Sequence, residues 1–231
     1  MFRLIPKKIK SLIPNNYKNY IRKFRKFNAY NDLDKKMLKF INYRNGFYID
    51  CGANDGVNQS TTWYFEKYLN WKGILIEPLP KIYKELKLNR SHNNFFFNNA
   101  LVSSSFKKKL IKMIDFDDSI MAKVYNSKFS KNLSKKTINV KATTLNNILN
   151  KIPNRKKFDF FSLDVEGAEL DVLRGINFSK FSFDYILIET SNFKIIKKFL
   201  VKKNYKFIER LSNYNIKHLP EFGDYLFKYD N

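Results

Sequence analysis

The sequence has little cysteine and no long apolar run. Cys51 is the one cysteine among 231 residues, so an intrachain disulfide is excluded and a reducing compartment is expected. No stretch reaches the roughly 18 to 20 apolar residues that cross a bilayer, and the first residues lack the continuous hydrophobic segment of a signal peptide. The sequence therefore predicts a cytoplasmic protein in which Cys51 is a small core residue.

Acidic residues are also scarce, with 21 Asp and Glu against 44 Lys and Arg and a formal net charge of +23. Such a charge is compatible with an anionic partner, either nucleic acid, an acidic polysaccharide or a membrane surface. We favour compositional drift as its cause. Lys, Asn, Ile, Phe and Tyr are abundant while the chain has only 7 glycines and 6 prolines, the bias expected of an AT-rich genome.

Residues 1–29 are predicted to form a basic N-terminal extension, followed by a single domain over 30–231. The extension carries Lys7, Lys8, Lys10 and several further Lys and Arg, interleaved with Ile, Leu, Phe and Tyr. That mixture is compatible with peripheral contact with an anionic membrane. The interpretation we favour is a solvated basic segment that packs a few aromatic side chains on the domain.

From residue 30 onward, apolar strands alternate with amphipathic helices, and 44% hydrophobic with 17% aromatic residues supply the surface for one core. Predicted strands lie at about 47–52, 73–77, 95–102, 138–142, 158–164, 184–189, 205–211 and 224–228. Predicted helices lie at about 31–42, 60–69, 144–149, 168–174 and 192–203, with another opened by Pro78 and Pro80. Gly175 is expected to end its helix in a left-handed cap, and 103–136 to form a hairpin and a flexible loop. The pattern predicts an α/β fold with a mostly parallel central sheet and helices on both faces.

Two of these strands end at an acid near a tight turn. The strand at 47–52 runs into Gly52-Ala53-Asn54-Asp55-Gly56, and the strand at 73–77 ends at Glu77. A carboxylate there can accept hydrogen bonds from both hydroxyls of a ribose, as in Rossmann-type sites. The turn lacks the third glycine of the dinucleotide fingerprint, and Asp50 would repel a pyrophosphate. The cationic S-adenosylmethionine suits such an acidic strand end better than NAD.

Several linked motifs resemble the FkbM family of S-adenosylmethionine-dependent methyltransferases. They are 46–56 (GFYIDCGANDG), 65–66 (FE), 71–78 (WKGILIEP), 89–90 (NR), 143–148 (TTLNNI), 159–169 (DFFSLDVEGAE) and 188–189 (IE). The resemblance covers roughly residues 30 to 228. It implies a Rossmann-like class I methyltransferase fold and S-adenosylmethionine as cofactor.

The resemblance also implies roles for particular residues. The residues implied to line the methionine part of the cofactor are Gly52, Ala53, Asn54 and Gly56. Asp50 would orient the cofactor's ammonium group, Glu77 would hold the ribose, and Asn98 or Asn99 would meet the adenine.

Acids at the ends of parallel strands should meet at one crevice, and Asp50, Glu77, Asp164 and Glu189 all have this position. An O-methyl transfer needs an acceptor hydroxyl whose proton is taken during or after attack. We therefore predict Asp164, Glu166 and Glu189 as catalytic residues, acting as base or orienting the hydroxyl.

The acids of 164–169 have two other interpretations. Acids in the first turn of a helix are favoured by its dipole whatever the function, which applies to Glu166 and Glu169. Alternatively, Asp164, Glu166 and Glu169 could hold Mg²⁺ or another divalent ion that also binds two sugar oxygens.

The favoured hypothesis is an O-methyltransferase acting on a sugar hydroxyl of a glycan or glycolipid precursor, as the resemblance implies. A nucleic-acid methyltransferase is an alternative suggested by the charge. However, the sequence lacks an Asn/Asp-Pro-Pro-Tyr/Phe motif and a cysteine placed as nucleophile. The third possibility is a Rossmann-like scaffold without turnover.

Overall fold

The structure, a computed structural model, describes residues 22–114, 137–214 and 216–230. Its strands are β1 (Phe47–Cys51), β2 (Lys72–Ile76), β3 (Phe95–Phe97), β4 (Ala100–Leu101), β5 (Leu110–Ile114), β6 (Thr137–Thr143), β7 (Lys157–Leu163), β8 (Ser182–Thr190), β9 (Tyr205–Arg210) and β10 (Gly223–Tyr229). Its α-helices are α1 (Leu33–Met37), α2 (Trp63–Leu69), α3 (Pro80–Asn89), α4 (Leu145–Leu149), α5 (Glu169–Arg174) and α6 (Phe193–Val201). Within these ranges, no helix is long and apolar enough to cross a membrane.

Seven strands form the main sheet in the order β3-β2-β1-β7-β8-β10-β9. The first five are mutually parallel, and β10 runs antiparallel to both β8 and β9. A smaller sheet has the order β4-β6-β5. The predicted α/β fold with a mostly parallel sheet is confirmed, and the strand order reverses between β1 and β7, where ligands bind in such sheets.

Alternate residues of the strands pack on opposite faces of the sheet. Phe47, Ile49 and Cys51 join a buried cluster with side chains of α4, α5 and α6. Tyr48, between them, joins a second cluster with side chains of α1, α2 and α3. Because side chains alternate along a strand, β1 contributes to two cores, and helices cover both faces as predicted.

The predicted strand at 95–102 is wrong as a single element. β3 belongs to the main sheet, whereas β4 pairs with β6 in the small sheet. Between them, the side-chain amide of Asn98 donates to the carbonyls of Glu77 and Pro78 at 2.8 and 2.9 Å. The Asn98 side chain thus bonds to the two carbonyls that follow β2, and the backbone leaves the main sheet at this point.

The predicted helix at 31–42 is shorter than expected. Asn31 and Asp32 have positive φ angles of 52° and 55°, a conformation that cannot continue a right-handed helix, so α1 begins at Leu33. The backbone N–H groups of Leu38, Lys39 and Phe40 bond three residues back, in tight turns. The apolar stripe is nevertheless right, because Leu33, Met37 and Ile41 are all buried.

The left-handed cap expected at Gly175 is also wrong, since its φ is −86°. Glycine is needed there for space, because an added Cβ would lie 2.5 Å from the carbonyl oxygen of Val102. Within the region 103–136 that was predicted as a hairpin and a loop, Leu110–Ile114 forms β5, and its antiparallel partner is β6, which begins beyond that region. The remainder of the predicted loop, 115–136, and residues 1–21 of the predicted basic extension lie outside the described residues.

Candidate functional site

The carboxyl ends of β1, β2, β7 and β8 open into a cavity of about 460 Å³. The predicted site residues that line it are Asp50, Gly52, Ala53, Asn54, Glu77, Asn99, Asp164, Glu166 and Glu189. The structure therefore brings together almost all of the residues chosen from the sequence. The volume of the cavity lies in the range of about 300–1,000 Å³ that is usual for small-molecule sites.

Gly52 allows the ends of β1 and β7 to meet at the floor of this cavity. It has a φ of +84°, and an added Cβ would lie 1.7 Å from the carbonyl oxygen of Asp164. The backbone of β1 is also tied to β7 by a bond from the Asp164 N–H to the Cys51 carbonyl. A glycine at this position is therefore required by the approach of two strands.

Glu77 is held from both sides at the end of β2. Its Oε2 accepts the Asn54 N–H at 3.1 Å, and its Oε1 accepts the Leu79 N–H at 2.9 Å. Burial raises the pKa of Glu77 to about 7, although the two backbone N–H groups oppose the shift. Each oxygen keeps lone-pair capacity, so the fixed carboxylate can accept two neighbouring hydroxyls.

Asp50 is buried at the end of β1, where its Oδ2 accepts the Thr62 hydroxyl at 2.6 Å. Burial raises the pKa of Asp50, while the charge of Arg90 and the Thr62 hydrogen bond act in the opposite direction. The two acids predicted to hold a cationic nucleoside thus lie on adjacent strands of one cavity. This set of acceptors fits the ammonium and ribose of S-adenosylmethionine.

Gly56 and Asn98, by contrast, do not line the cavity. Gly56 packs against α3, where an added Cβ would lie 2.7 Å from atoms of Leu86 and Arg90. Asn98 spends its amide on the carbonyls that follow β2. Of the two asparagines considered for the adenine, Asn99 is the one at the cavity wall.

A group of acids and one tyrosine lines the cavity near β8 and β10: Asp164, Glu166, Glu189, Asp224 and Tyr214. Tyr214 and Asp224 were not identified from the sequence. The Tyr214 hydroxyl lies 2.6 Å from Glu189 Oε2 and 3.1 Å from Asp224 Oδ2. Asp224 stands opposite Glu189 in the β8–β10 register and also accepts the Ser212 hydroxyl. The one available signal was an acid at the start of the apolar run 225–227.

The pKa values of Glu189 and Asp164 are raised. Glu189 reaches about 7 because of burial, with the Tyr214 hydrogen bond opposing the shift. Asp164 is open to the cavity but lies deep in the protein, and this depth, followed by repulsion from Glu189 and Glu166, raises its pKa. A carboxylate whose pKa lies near 7, as that of Glu189 does, is suited to take up a proton near neutral pH, and the raised pKa of Asp164 makes it a stronger base than an ordinary carboxylate.

Glu169 does not join this cluster. Its Oε1 accepts the N–H of Gly167 at 2.7 Å, and its side chain is buried outside the cavity lining. In the part of the chain that the structure describes, no group of three or more His, Cys, Asp or Glu side chains is arranged to hold a metal ion. The magnesium set considered for Asp164, Glu166 and Glu169 is thus not assembled.

Comparison with known proteins gives a family match. The model of the methyltransferase FkbM domain matches residues 50–215. A comparison with curated proteins finds no match.

Three solved structures are similar in fold. A methyltransferase FkbM from Methylobacillus flagellatus KT is 13% identical at a TM-score of 0.48, covering 83% of this chain and 45% of that one. M. jannaschii TYW2 in complex with AdoMet is 15% identical at 0.42, covering 85% and 74%. A precorrin-6y C5,15-methyltransferase from Geobacter metallireducens GS-15 is 9% identical at 0.41, covering 85% of each chain. This chain therefore spans less than half the length of the first of these proteins.

Proposed function

The chain belongs to the FkbM methyltransferase family, and we propose that it transfers a methyl group from S-adenosylmethionine to a sugar hydroxyl of a glycan or glycolipid precursor. One observation carries the proposal. Asp50 and Glu77, on adjacent strands, line the same cavity as Asp164 and Glu189. A cationic nucleoside and an acceptor hydroxyl would therefore meet in one space.

The cofactor end is assigned as follows. Glu77 would accept hydrogen bonds from the ribose hydroxyls and Asp50 from the ammonium group, and Asn99 would meet the adenine. The backbone of 52–54 would line the methionine part. The bound cofactor supplies an electrophilic methyl group on a sulfonium. Orientation of the acceptor relative to that group is the task of the protein, and it accounts for a large part of the rate in two-substrate reactions.

The acceptor end is supported by the chemistry of its acids. We assign to Asp164, which lines the cavity, the uptake of the acceptor hydroxyl's proton as the hydroxyl oxygen gains the methyl group, with S-adenosylhomocysteine as the co-product. Glu166 and Glu189 line the same wall and accept hydrogen bonds from neighbouring hydroxyls of the acceptor.

A sugar is favoured over nucleic acid by what surrounds these acids. Tyr30, Tyr214 and Phe222 also line the cavity, and the rings of Tyr30 and Tyr214 stack 5.8 Å apart. Carboxylate acceptors together with aromatic faces suit a neutral polyhydroxylated ring. A phosphate backbone near the same carboxylates would be repelled, which weighs against the nucleic-acid alternative.

The cofactor assignment is tested by calorimetric titration with S-adenosylmethionine and S-adenosylhomocysteine, with and without Mg²⁺. We expect micromolar binding by the native chain and at least about tenfold weaker binding by Glu77→Ala, because hydrogen bonds to a charged group are lost. Glu85→Ala, in α3 outside the cavity lining, is the matched control and should bind as the native chain does. No binding by the native chain would support the scaffold alternative, and unchanged binding by Glu77→Ala would overturn the ribose role.

The base is tested with Asp164→Asn. We expect cofactor affinity within about twofold of native and methyl transfer to a panel of glycan acceptors about 10² to 10⁴ slower, the usual contribution of general base catalysis. Asp171→Asn removes an exposed carboxylate from α5 and serves as the control. A native rate in Asp164→Asn would assign proton removal to another group.

A further inference from the structure

Arg90, directly after α3, is a buried cation whose side chain is fully used. Its guanidinium has five N–H groups and no acceptor. The structure gives all five a partner: Nε donates to Glu66 Oε2 at 2.8 Å, Nη1 to Gly56 O at 3.0 Å and Ser60 Oγ at 3.2 Å, and Nη2 to Tyr48 Oη at 2.7 Å and Thr62 Oγ1 at 3.1 Å. The side chain is therefore locked in one position behind the cavity.

The bond from Arg90 to Thr62 sets the direction of the next hydrogen bond. Because Thr62 Oγ1 accepts from Arg90, its single proton is free for another acceptor. Asp50 Oδ2 lies 2.6 Å away and is a carboxylate, whereas Ser60 Oγ lies at 3.3 Å. The shorter, charge-assisted bond takes the proton. The chain of bonds thus runs in one direction, from Arg90 through Thr62 to Asp50.

We propose that Thr62 is a positioning residue for the cofactor. Its hydroxyl fixes Oδ2 of Asp50, so that the other carboxylate oxygen is presented to the ammonium group of S-adenosylmethionine. Arg90 holds the Thr62 hydroxyl in the donating orientation. This role rests on the proposed function, because it requires that Asp50 binds the ammonium group.

The electrostatic surroundings of Asp50 agree with this role. The charged and titratable groups around it are Arg90, Glu66, Glu77, Tyr48 and Cys51. Burial raises the pKa of Asp50, and Arg90 and the Thr62 hydroxyl are the groups that act against that rise. Loss of the hydroxyl should therefore raise the pKa further and leave less of the ionised form that a cation requires.

Two nucleosides that differ at the ammonium group provide the test. S-Adenosylhomocysteine carries the amino-acid group, whereas 5′-methylthioadenosine has the same adenine and ribose without it. In Thr62→Val, which replaces the hydroxyl by a methyl group, we expect about tenfold weaker binding of S-adenosylhomocysteine, the effect of a lost hydrogen bond to a charged group. Binding of 5′-methylthioadenosine should stay within about twofold of native.

Two further variants separate positioning from general damage. Thr62→Ser keeps the hydroxyl and should restore the affinity for S-adenosylhomocysteine. Tyr48→Phe removes a different partner of the same Nη2 and no described hydrogen bond to Asp50, so it should lower the thermal midpoint without discriminating between the two nucleosides. The pH profile is an independent readout. In Thr62→Val, the affinity for S-adenosylhomocysteine relative to that for 5′-methylthioadenosine should begin to fall at a higher pH than in the native chain, because both nucleosides share the dependence on Glu77.

The outcomes are distinct. If the native chain binds neither S-adenosylmethionine nor S-adenosylhomocysteine, the proposed function fails. Suppose instead that the native chain binds S-adenosylmethionine and S-adenosylhomocysteine. If Thr62→Val then weakens the binding of S-adenosylhomocysteine and of 5′-methylthioadenosine equally, or weakens neither, and does not shift the pH profile, the positioning role alone is overturned. Thr62→Ala carries the same expectations and replaces Thr62→Val if the valine variant does not fold.

Discussion

Glu77 shows how a single residue can link cofactor binding to pH. Its carboxyl is almost fully buried, and this burial raises its pKa from the ordinary 4.5 to about 7, although two backbone N–H groups that bond to it oppose the shift. Ribose hydroxyls donate to the ionised form, and a protonated Glu77 must first lose its proton. The affinity for S-adenosylmethionine should therefore fall as the pH drops below about 7, by up to about tenfold per pH unit.

The stability of the free protein should respond in the opposite sense. A carboxyl whose pKa is higher in the folded state binds protons more tightly when folded. Between 4.5 and about 7 the contribution of Glu77 to the free energy of unfolding therefore decreases as the pH rises. Calorimetric affinity and denaturant unfolding, each measured across this range, should show opposite slopes in the native chain. Both slopes should flatten in Glu77→Gln, and slopes unchanged by that substitution would assign the titration to another group.

At the level of elements, the site depends on how closely β1 approaches β7. Gly52 and Gly167 both have positive φ angles, +84° and +100°, but only Gly52 has a neighbouring strand where a Cβ would go. An added Cβ at Gly52 meets the carbonyl of Asp164 at 1.7 Å, whereas at Gly167 nothing lies within 4 Å. Alanine substitutions at the two positions therefore distinguish the free-energy cost of a strained φ angle from that of a steric clash.

Gly52→Ala should lower the free energy of unfolding by about 3 kcal/mol or more, because a strained φ is added to a backbone clash. Gly167→Ala should cost about 1–2 kcal/mol, from the strained φ alone. Chemical denaturation of both variants measures the difference. Equal losses would mean that β1 and β7 separate without difficulty and that the close approach is not needed for folding.

On the scale of the whole molecule, charge is unevenly distributed. The chain carries a formal charge of +23, yet the acids Asp50, Glu77, Asp164, Glu166, Glu189 and Asp224 all line one cavity. The cavity therefore favours a cation or a neutral polyol, while the remaining surface favours anions. Peripheral contact of the basic residues 1–29 with an anionic membrane, the alternative to a solvated segment that packs aromatic side chains on the domain, remains a proposal that can be tested directly.

Vesicle binding tests this proposal. The native chain should sediment with phosphatidylserine-containing vesicles at low salt and be released at high salt, since each Lys near such a surface contributes about 1 kcal/mol. Replacement of Lys7, Lys8 and Lys10 by Glu should reduce binding strongly. Replacement of the exposed Lys107, Lys108 and Lys109 by Glu changes the net charge by the same amount and should reduce vesicle binding less. Equal reductions would make net charge, and not the N-terminal segment, the cause.

Local patterns in the sequence were sufficient to predict the class of fold and most of the acids that line the cavity. Alternation of apolar residues marks the buried strands, and an acid that ends such a strand must emerge at the carboxyl edge of a parallel sheet. Asp50, Glu77 and Asp164 have this position in the sequence, and all three line one cavity. The linked motifs of the FkbM family add the methyltransferase class, which the family match confirms.

Other features were decided only when distant segments packed together. β10 inserts between β8 and β9, which sets Asp224 opposite Glu189 and brings Tyr214 to both. Arg90 donates hydrogen bonds to partners in a turn, a strand and a helix, which precede it by up to 42 residues. A local pattern indicates which side of an element is buried but not which element will cover it. Those pairings follow from competition among long-range contacts, and so the tertiary structure alone decides which groups surround the acids that the sequence identifies.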